Sequence, residues 1–562
     1  MKIISQLKIS DPSLSEEQIL EQILATRNIP DMDAFLNPPS PLTLSLKDFG
    51  FSLKEIGVAM KLLKKMKEEN KPVIVYTDYD ADGITGGSIL WEALHLMGFN
   101  AMPYVPHRQL EGYGFSIKGI DAIFEKHNPG LIISVDHGIA AVDQIAYAKS
   151  IGIPIIVTDH HAKQEKIPDS AEAIFHIPAL SGSGVAYFFA KEVFTELATP
   201  EIKNYTKLEK HFKTDYLALA SIGTVADLVP LVGPSRSVVK YGLKSFNDCQ
   251  RTGLTELMKE AKIDGHEITP YEIGFIIAPR INAIGRLEHA LDALRLLCTP
   301  NKERARELAS KVGQLNEDRK SLVDKAVKEA KKQVNDMILT GSLPKILILK
   351  SEDWHEGIIG LIASKMVEAY QRPTLVVTKT EHYLKASARS PATVHLTEFL
   401  GKLKHHLVAF GGHRQAAGFS IEADKFDQFK IEAEELAEKT IKDDDLVKAT
   451  MVEIQMPLTL LSMALAEKLS QLEPFGIGNA KPTFACECKV FDTKLMGKKK
   501  EHMRLSVSDL VVKRMPFEIV AFNRKDDYVK LQKGQPILAA FNLEINEWNG
   551  RRSLQGKLID WE

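Results

Sequence analysis

Three aspartates at alternate positions, Asp78, Asp80 and Asp82, close the apolar run of "VIVYTDYDADGIT" (73–85). Carboxylates packed this densely repel one another unless a cation sits among them. A calcium loop of the EF-hand type would need a bidentate glutamate at its twelfth position, and counting from Asp78 that position is Ile89. The residues before it, 72–76, form a β-branched run suited to a strand, not a helix. A hard-metal site at a strand end remains. Two further apolar runs finish alike: "LIISVDHG" closes on Asp136, and "IPIIVTDHH" closes on Asp159, His160 and His161. Asp227 follows the apolar "LASIGTVADLVPL". Carboxylates with one or two imidazoles and no thiolate suit Mn²⁺ or Mg²⁺ better than zinc. So many acidic groups exceed what one ion uses, whereas two ions about 3.5–4 Å apart, bridged by a shared carboxylate, would use them. Such a pair acidifies a water and clamps phosphoryl oxygens, so hydrolysis of a phosphodiester or phosphoester is the favoured chemistry. A single aspartate after a strand is ordinarily a turn former or helix cap. Three strand ends with the same chemistry argue otherwise.

To gather these groups, the strands must be parallel neighbours. From residue 46 the pattern alternates helix (53–69), strand (72–76), helix (85–97), strand (131–135), helix (140–150) and strand (153–158). Open sheets of this kind bind ligands beyond the carboxyl ends of their strands, where the aspartates lie. We expect an α/β protein of several parts: an N-terminal helical segment (1–45, with the proline-rich "NPPSPLTL"), a parallel-sheet catalytic domain (46–300), a connecting helix (301–340), a second α/β domain (341–440) and a C-terminal β-barrel (441–562). The connecting segment has no proline and charges on most faces, which predicts a long helix between two domains.

Bulk composition excludes some classes. A chain of 562 residues is too long for one core, and 44% hydrophobic with 26% charged residues is ordinary for a folded protein. The net charge of −2 leaves any anion-binding surface local. Four cysteines form no CxxC pair and suggest no disulfide framework. No apolar run of about 18 residues and no signal-type leader is present, so a cytoplasmic protein without membrane association is expected.

The ordered motifs "DYDADG", "SVDHG", "TDHH" and "GTVADLVPL" resemble those of the DHH phosphoesterase superfamily. "APRINAIGR" (278–286) resembles the segment that follows in RecJ-type exonucleases. "WHEGIIGLIASK", "SARS" and "FGGHRQAAGF" are similar to the associated DHHA1 domain, and "EPFGIGNAKPTF" and "LEINEWNGRRSLQ" to the RecJ OB-fold. The resemblance covers nearly the whole chain in order. It implies that Asp136 bridges two divalent cations, Mn²⁺ or Mg²⁺, that Asp82, His160 and Asp227 complete one ion, and that Asp80 holds the other. His161 would then contact the scissile phosphate, with Asp159 orienting the histidines. Many relatives carry histidine two residues before the first motif aspartate; here that residue is Tyr76, and Asp78 is the candidate replacement.

For the second domain the resemblance implies a nucleic-acid end held across a cleft from the metals. The candidate phosphate contacts are Arg280, Asn282, Arg286, His355, Ser387 and Arg389, with the glycine-rich turn Gly411, Gly412 and His413. Residues 490–562 carry 14 Lys+Arg against 10 Asp+Glu, a local +4. Lys498, Lys499, Lys500, Arg504, Arg524, Arg551 and Arg552, interleaved with Phe522 and Trp548, suit a barrel that holds single strands by charge and stacking. The resemblance implies a single-stranded-DNA-specific exonuclease acting from the 5′ end and releasing mononucleotides in DNA repair and recombination. A monomer is expected, with a single-strand-binding protein and a helicase as partners. The alternatives are a DHH hydrolase of oligoribonucleotides or cyclic dinucleotides, and a non-catalytic DNA-binding scaffold, which would have lost metal ligands that this chain retains.

Overall fold

The computed structural model describes all residues except 1, 30, 108–110, 112–113, 511–514 and 549, together with the side chain of Trp548. The chain opens on strand β1 (Lys2–Lys8), which the sequence pattern did not reveal. Alternation of exposed and half-buried residues gives it no apolar face of its own, so only its partner defines it.

The catalytic-domain sheet is parallel throughout. Its strands are β2 (Val73–Thr77), β3 (Ala101–Tyr104), β4 (Leu131–Val135), β5 (Ile155–Asp159) and β6 (Ala173–His176), in the order β3-β2-β4-β5-β6. Every residue of β2, β4 and β5 is buried, as expected of strands covered on both faces. The register sets Thr77 beside Val135 and Val135 beside Thr158. Hydrogen bonding continues past the strand ends: Asp78 N–H donates to the Val135 carbonyl at 3.2 Å, and Asp136 N–H to Thr158 at 3.0 Å. The three acidic strand ends are therefore level with one another.

A helix of 39 residues, Lys302–Thr340, follows, with Asn301 capping the amide of Arg304. At 1.5 Å per residue it is about 58 Å long. Its first half packs Ala305, Leu308 and Val312 into the catalytic-domain core, and its second half packs Val323, Ala326 and Val334 into the next domain. That domain carries β7 (Leu347–Lys350), β8 (Thr374–Lys379), β9 (Leu384–Arg389), β10 (Leu407–Gly412) and β11 (Ala416–Ile421), in the order β10-β11-β9-β8-β7.

The C-terminal strands are β12 (Ala449–Gln455), β13 (Thr483–Met496), β14 (His502–Ser508), β15 (Phe517–Ala521), β16 (Pro536–Trp548) and β17 (Arg551–Trp561). Strand β13 pairs with both β14 and β16, so β13-β14-β15-β17-β16 close into a five-stranded barrel. Strand β12 joins β13, and β1 runs parallel to β12 from one end of the chain to the other. Helix Glu16–Thr26 places Ile19, Leu20, Ile23 and Leu24 in the barrel's own core. The N-terminal segment is thus physically part of the barrel unit.

Arg236 fastens this unit to the catalytic domain. It is fully buried, stacks on Phe35 at 3.9 Å, and donates to the carbonyls of Phe35, Pro474 and Glu473 at 2.7, 3.3 and 2.9 Å. Ser237 and Lys240, one and four residues on, bond the carbonyls of Pro39 and Leu36. No described helix is long and apolar enough to cross a membrane.

Candidate metal centre and strand-binding cleft

Asp80 begins helix Ala81–Leu96 as its N-cap, four residues before the start read from sequence, and accepts from the amides of Asp82 and Gly83 at 3.0 Å each. The cap fixes one carboxylate oxygen and aims the group at the strand ends. Asp82, in the first turn, is buried and accepts from the amides of Gly182 and Ser183 at 2.7 and 2.9 Å. These amides open helix Gly182–Leu197, whose positive end steadies the carboxylate. Asp136 follows β4 with φ of 67°, the left-handed region that aspartate tolerates better than most residues. Asp227 ends helix Asp215–Ala226.

The side chains converge. His160 Nε2 lies 3.1 Å from Asp136 Oδ1, 3.4 Å from Asp227 Oδ2 and 3.8 Å from Asp82 Oδ2. Two ligand sets result, Asp82–His160–Asp227 and Asp78–Asp80–Asp136, each within 4.8 Å, and a third, Asp136–His160–His161, shares one residue with each. Asp136 Oδ1 and His160 Nε2 are buried without a hydrogen-bond partner. Two buried lone-pair atoms facing each other without satisfaction fit a cation between them. Burial first, then the charges of Asp82, Asp80, Asp78 and Asp227, push the Asp136 carboxyl well above the usual carboxylate range. Burial and the charges of Asp82, Asp80 and Asp78 push Asp227 up to about 8. A divalent pair relieves this repulsion.

Asp159 differs. Burial pushes its pKa upward, but four donors more than offset it: the His161 ring at 2.8 Å and the amides of Ile139, His160 and His161 at 2.8, 2.7 and 3.0 Å. The bond to Asp159 in turn raises His161 to about 9, and its ring lies 3.9 Å from Asp136. Tyr76 lies within the sheet's other core cluster, packed on Tyr104 and Phe115.

Two glycines make the packing possible. A Cβ at Gly182 would collide with Asp136 Oδ1, and one at Gly223 with Asp82 Oδ1 and Ser183 Oγ. Neither was singled out from sequence, although "SGSG" before an apolar helix was the available signal.

Asn282 reaches the metal loop directly: its Oδ1 accepts from the Ala81 amide at 2.8 Å. Arg286 donates to the Gly357 carbonyl at 3.1 Å, joining the two α/β domains. His355 Nδ1 accepts from the Gly357 amide at 3.0 Å. Just beyond, helix Ile359–Tyr370 begins without a side-chain cap, and Gly360 abuts Ser387 and Arg389. Arg389 is half-buried and donates only to the Ser387 hydroxyl and the Ala388 carbonyl among its described bonds. Burial alone lowers its pKa. In register, Ser387 lies beside Gly418 and Gly418 beside Gly411, so the row next to Ser387 is bare backbone. His413 is exposed in the turn that follows.

Two arginines are placed otherwise. Arg280 is held in a 2.7 Å ion pair with Glu260, with its side chain 11% exposed. Arg524 is held by Asp527 and Asp560 at 3.1 and 3.4 Å. Both guanidiniums are taken up by internal carboxylates; Glu260 and Asp560 are remote in sequence, whereas Asp527 is a local partner three residues from Arg524. Lys498, Lys499 and Lys500 form an exposed turn between β13 and β14. Arg504 pairs with Glu518 at 3.2 Å, Arg552 with Glu467 at 2.8 Å, and Arg551 is exposed. The side chain of Trp548 lies outside the described residues.

Between the catalytic domain and the barrel runs a cleft of about 1150 Å³. Leu228 and Asn282 line it beside the carboxylates, and Ile477 and Lys557 line it on the barrel side. Its wall carries a π-helical turn, Glu272–Ile277, and the stacked rings of Tyr271 and Phe275, 5.0 Å apart and 60% and 71% exposed. Sequence reasoning missed this pair.

A parallel sheet with carboxylates and imidazoles at successive strand ends, a second α/β domain on a long helix and a closed barrel define the DHH/DHHA1 class of proteins. Family models match in the same order: the DHH family N-terminal domain at 72–224, the DHHA1 domain at 343–439 and the RecJ OB domain at 452–560. The chain belongs to the RecJ family. It is 30% identical over 575 residues to the single-stranded-DNA-specific exonuclease RecJ of Haemophilus influenzae, covering 98% of this chain and 96% of that protein. Against the Bacillus subtilis RecJ it is 32% identical over 522 residues, 91% of this chain but 64% of the longer relative. The crystal structure of Thermus thermophilus RecJ in complex with Mn²⁺ superposes with a TM-score of 0.79 at 26% identity, covering 99% of this chain and 79% of that one.

Proposed function

We propose that this chain is a metal-dependent exonuclease that hydrolyses phosphodiester bonds of single-stranded DNA from the 5′ end and releases mononucleotides, in DNA repair and recombination. The observation that carries the reading is the buried, unsatisfied pair Asp136 Oδ1 and His160 Nε2 amid four further carboxylates. Asp82, Asp136, His160 and Asp227 would hold one ion and Asp78, Asp80 and Asp136 the other, Mn²⁺ or Mg²⁺ as in the two structures of the Thermus relative. When bound, the pair supplies Lewis acidity toward phosphoryl oxygens and lowers the pKa of an attacking water.

The chain's own residues do the rest. His161, its pKa raised by Asp159, would present a positive charge to the scissile phosphate as negative charge grows there. Asp159, fixed by four donors, keeps both histidines in place. The uncapped start of helix Ile359–Tyr370, Ser387 and Arg389 form a pocket for a terminal phosphate, because helix N-termini and unpaired guanidiniums both favour anions. Beside it the glycine row leaves room for a nucleotide. The strand would continue through the cleft toward the barrel, its bases stacking on Tyr271 and Phe275. Only unstacked bases can use such a platform, so single strands are preferred over duplex. The reading extends to a monomer in the cytoplasm, working on strands opened by a helicase and coated by a single-strand-binding protein.

Single strands labelled at either end and incubated with Mn²⁺ test the proposal. Mononucleotides released first from the 5′ label support it; release only from the 3′ end overturns the polarity, and no hydrolysis with either metal overturns the activity.

A further inference from the structure

Outside the catalytic cleft, the described residues hold one other group of side chains with metal-ligand geometry. His405 and His406 sit on a 3₁₀ turn, residues 404–406, that leads into β10, and Glu432 lies on helix Phe426–Thr440. His405 Nε2 is 3.2 Å and His406 Nε2 2.7 Å from the same oxygen, Glu432 Oε2. All three atoms lie within 4.8 Å of one another.

We propose that His405, His406 and Glu432 form a second, non-catalytic metal site for a borderline transition-metal dication of the Zn²⁺ or Co²⁺ type. An ordinary histidine–carboxylate bond needs one imidazole. Here two converge on one oxygen, although a carboxylate offers a second oxygen to a second donor. Bonds of about 2.0–2.1 Å to Zn²⁺ place tetrahedral ligands about 3.4 Å apart and octahedral ones about 3.0 Å apart, and the observed nitrogen–oxygen separations fall in this range or just short of it. The local fold explains the convergence. Successive side chains point opposite ways in a strand, but a 3₁₀ turn spaces them about 120° apart, which lets both rings swing toward the helix. The ring centroids are 4.2 Å apart.

One flank is closed and the other open. His406 is buried against the edge of Phe429, 6.1 Å away, whereas the His405 and Glu432 side chains are 55% and 41% exposed. Three protein ligands with an open side leave room for water to complete the shell. Two imidazoles with one carboxylate favour zinc-like ions over Mg²⁺ or Mn²⁺, so the site discriminates against the ions of the catalytic centre. Its position gives it a consequence. An ion there ties the root of β10, the strand that ends in Gly411 and Gly412, to helix Phe426–Thr440, on the sheet face opposite the Ser387–Arg389 pocket.

The test uses the full chain with its catalytic centre saturated with Mn²⁺. Equilibrium dialysis against Zn²⁺ and the visible absorption of added Co²⁺ are compared for wild type, His405→Ala and Glu432→Gln. The expected result is one more Zn²⁺ per chain in wild type than in either variant, or a dissociation constant at least tenfold weaker in the variants. The Co²⁺ band should fall with it, and Mn²⁺-dependent hydrolysis should stay unchanged. Equal Zn²⁺ stoichiometry and affinity in all three proteins overturns the site. His405 is exposed and Glu432 half-buried at the rim, and either substitution alone suffices to read the outcome.

Discussion

Asp136 is the residue on which most of the centre turns. It belongs to one ligand set with Asp78 and Asp80 and faces His160 of the other. We predict that Asp136→Ala lowers Mn²⁺-dependent turnover by more than about a hundredfold, since loss even of an outer partner costs about 10–100-fold at metal sites. The same substitution removes one charge from a repelling group, so the metal-free variant should melt no lower than wild type. Saturating Mn²⁺ at about a hundred times its dissociation constant should stabilise wild type by about 2.7 kcal/mol and Asp136→Ala far less. Thermal denaturation with and without Mn²⁺ measures both effects. Gly223→Ala tests the packing instead. The new methyl would collide with Asp82 Oδ1, so activity should fall while secondary structure by circular dichroism stays intact.

At the level of elements, the stacked rings on the π-helical turn and the Arg236 clamp make separable predictions. Phe275→Ala should weaken binding of a single-stranded oligonucleotide by about 1–3 kcal/mol, the worth of one stacked base, and leave hydrolysis of a dinucleotide nearly unchanged. Fluorescence anisotropy and a dinucleotide assay separate the two. Arg236→Met deprives the carbonyls of Phe35, Pro474 and Glu473 of their donors at a cost of about 1–3 kcal/mol for each left unsatisfied. The N-terminal segment and the barrel should then loosen together, seen as earlier proteolytic cleavage near residues 37–44 or 473–480.

For the whole molecule, the pairing of β1 with β12 sets how it can be divided. Removing residues 441–562 alone would strip β1 and helix Glu16–Thr26 of their core, so the informative truncation removes residues 1–36 as well. We expect that protein to retain Mn²⁺-dependent hydrolysis of short oligonucleotides. It should lose affinity for long single strands and much of the steep salt dependence that phosphate contacts impose, as read by anisotropy across a salt series.

The sequence by itself determined the parts whose cause is local. Apolar runs of five residues ending in aspartate identified β2, β4 and β5, and the side-chain types at their ends identified the metal chemistry. The long proline-free run identified the connecting helix, observed at Lys302–Thr340. Only the tertiary structure decided matters that depend on a partner remote in the chain. Strand β1 has no apolar face until β12 supplies its edge. Arg280 and Arg524 read as nucleic-acid contacts until Glu260 and Asp560 fold against them. Tyr271 and Phe275 line a cleft only because the barrel closes its other side. Burial and pairing are properties of the folded chain, and residue type fixes only what each group can do once placed.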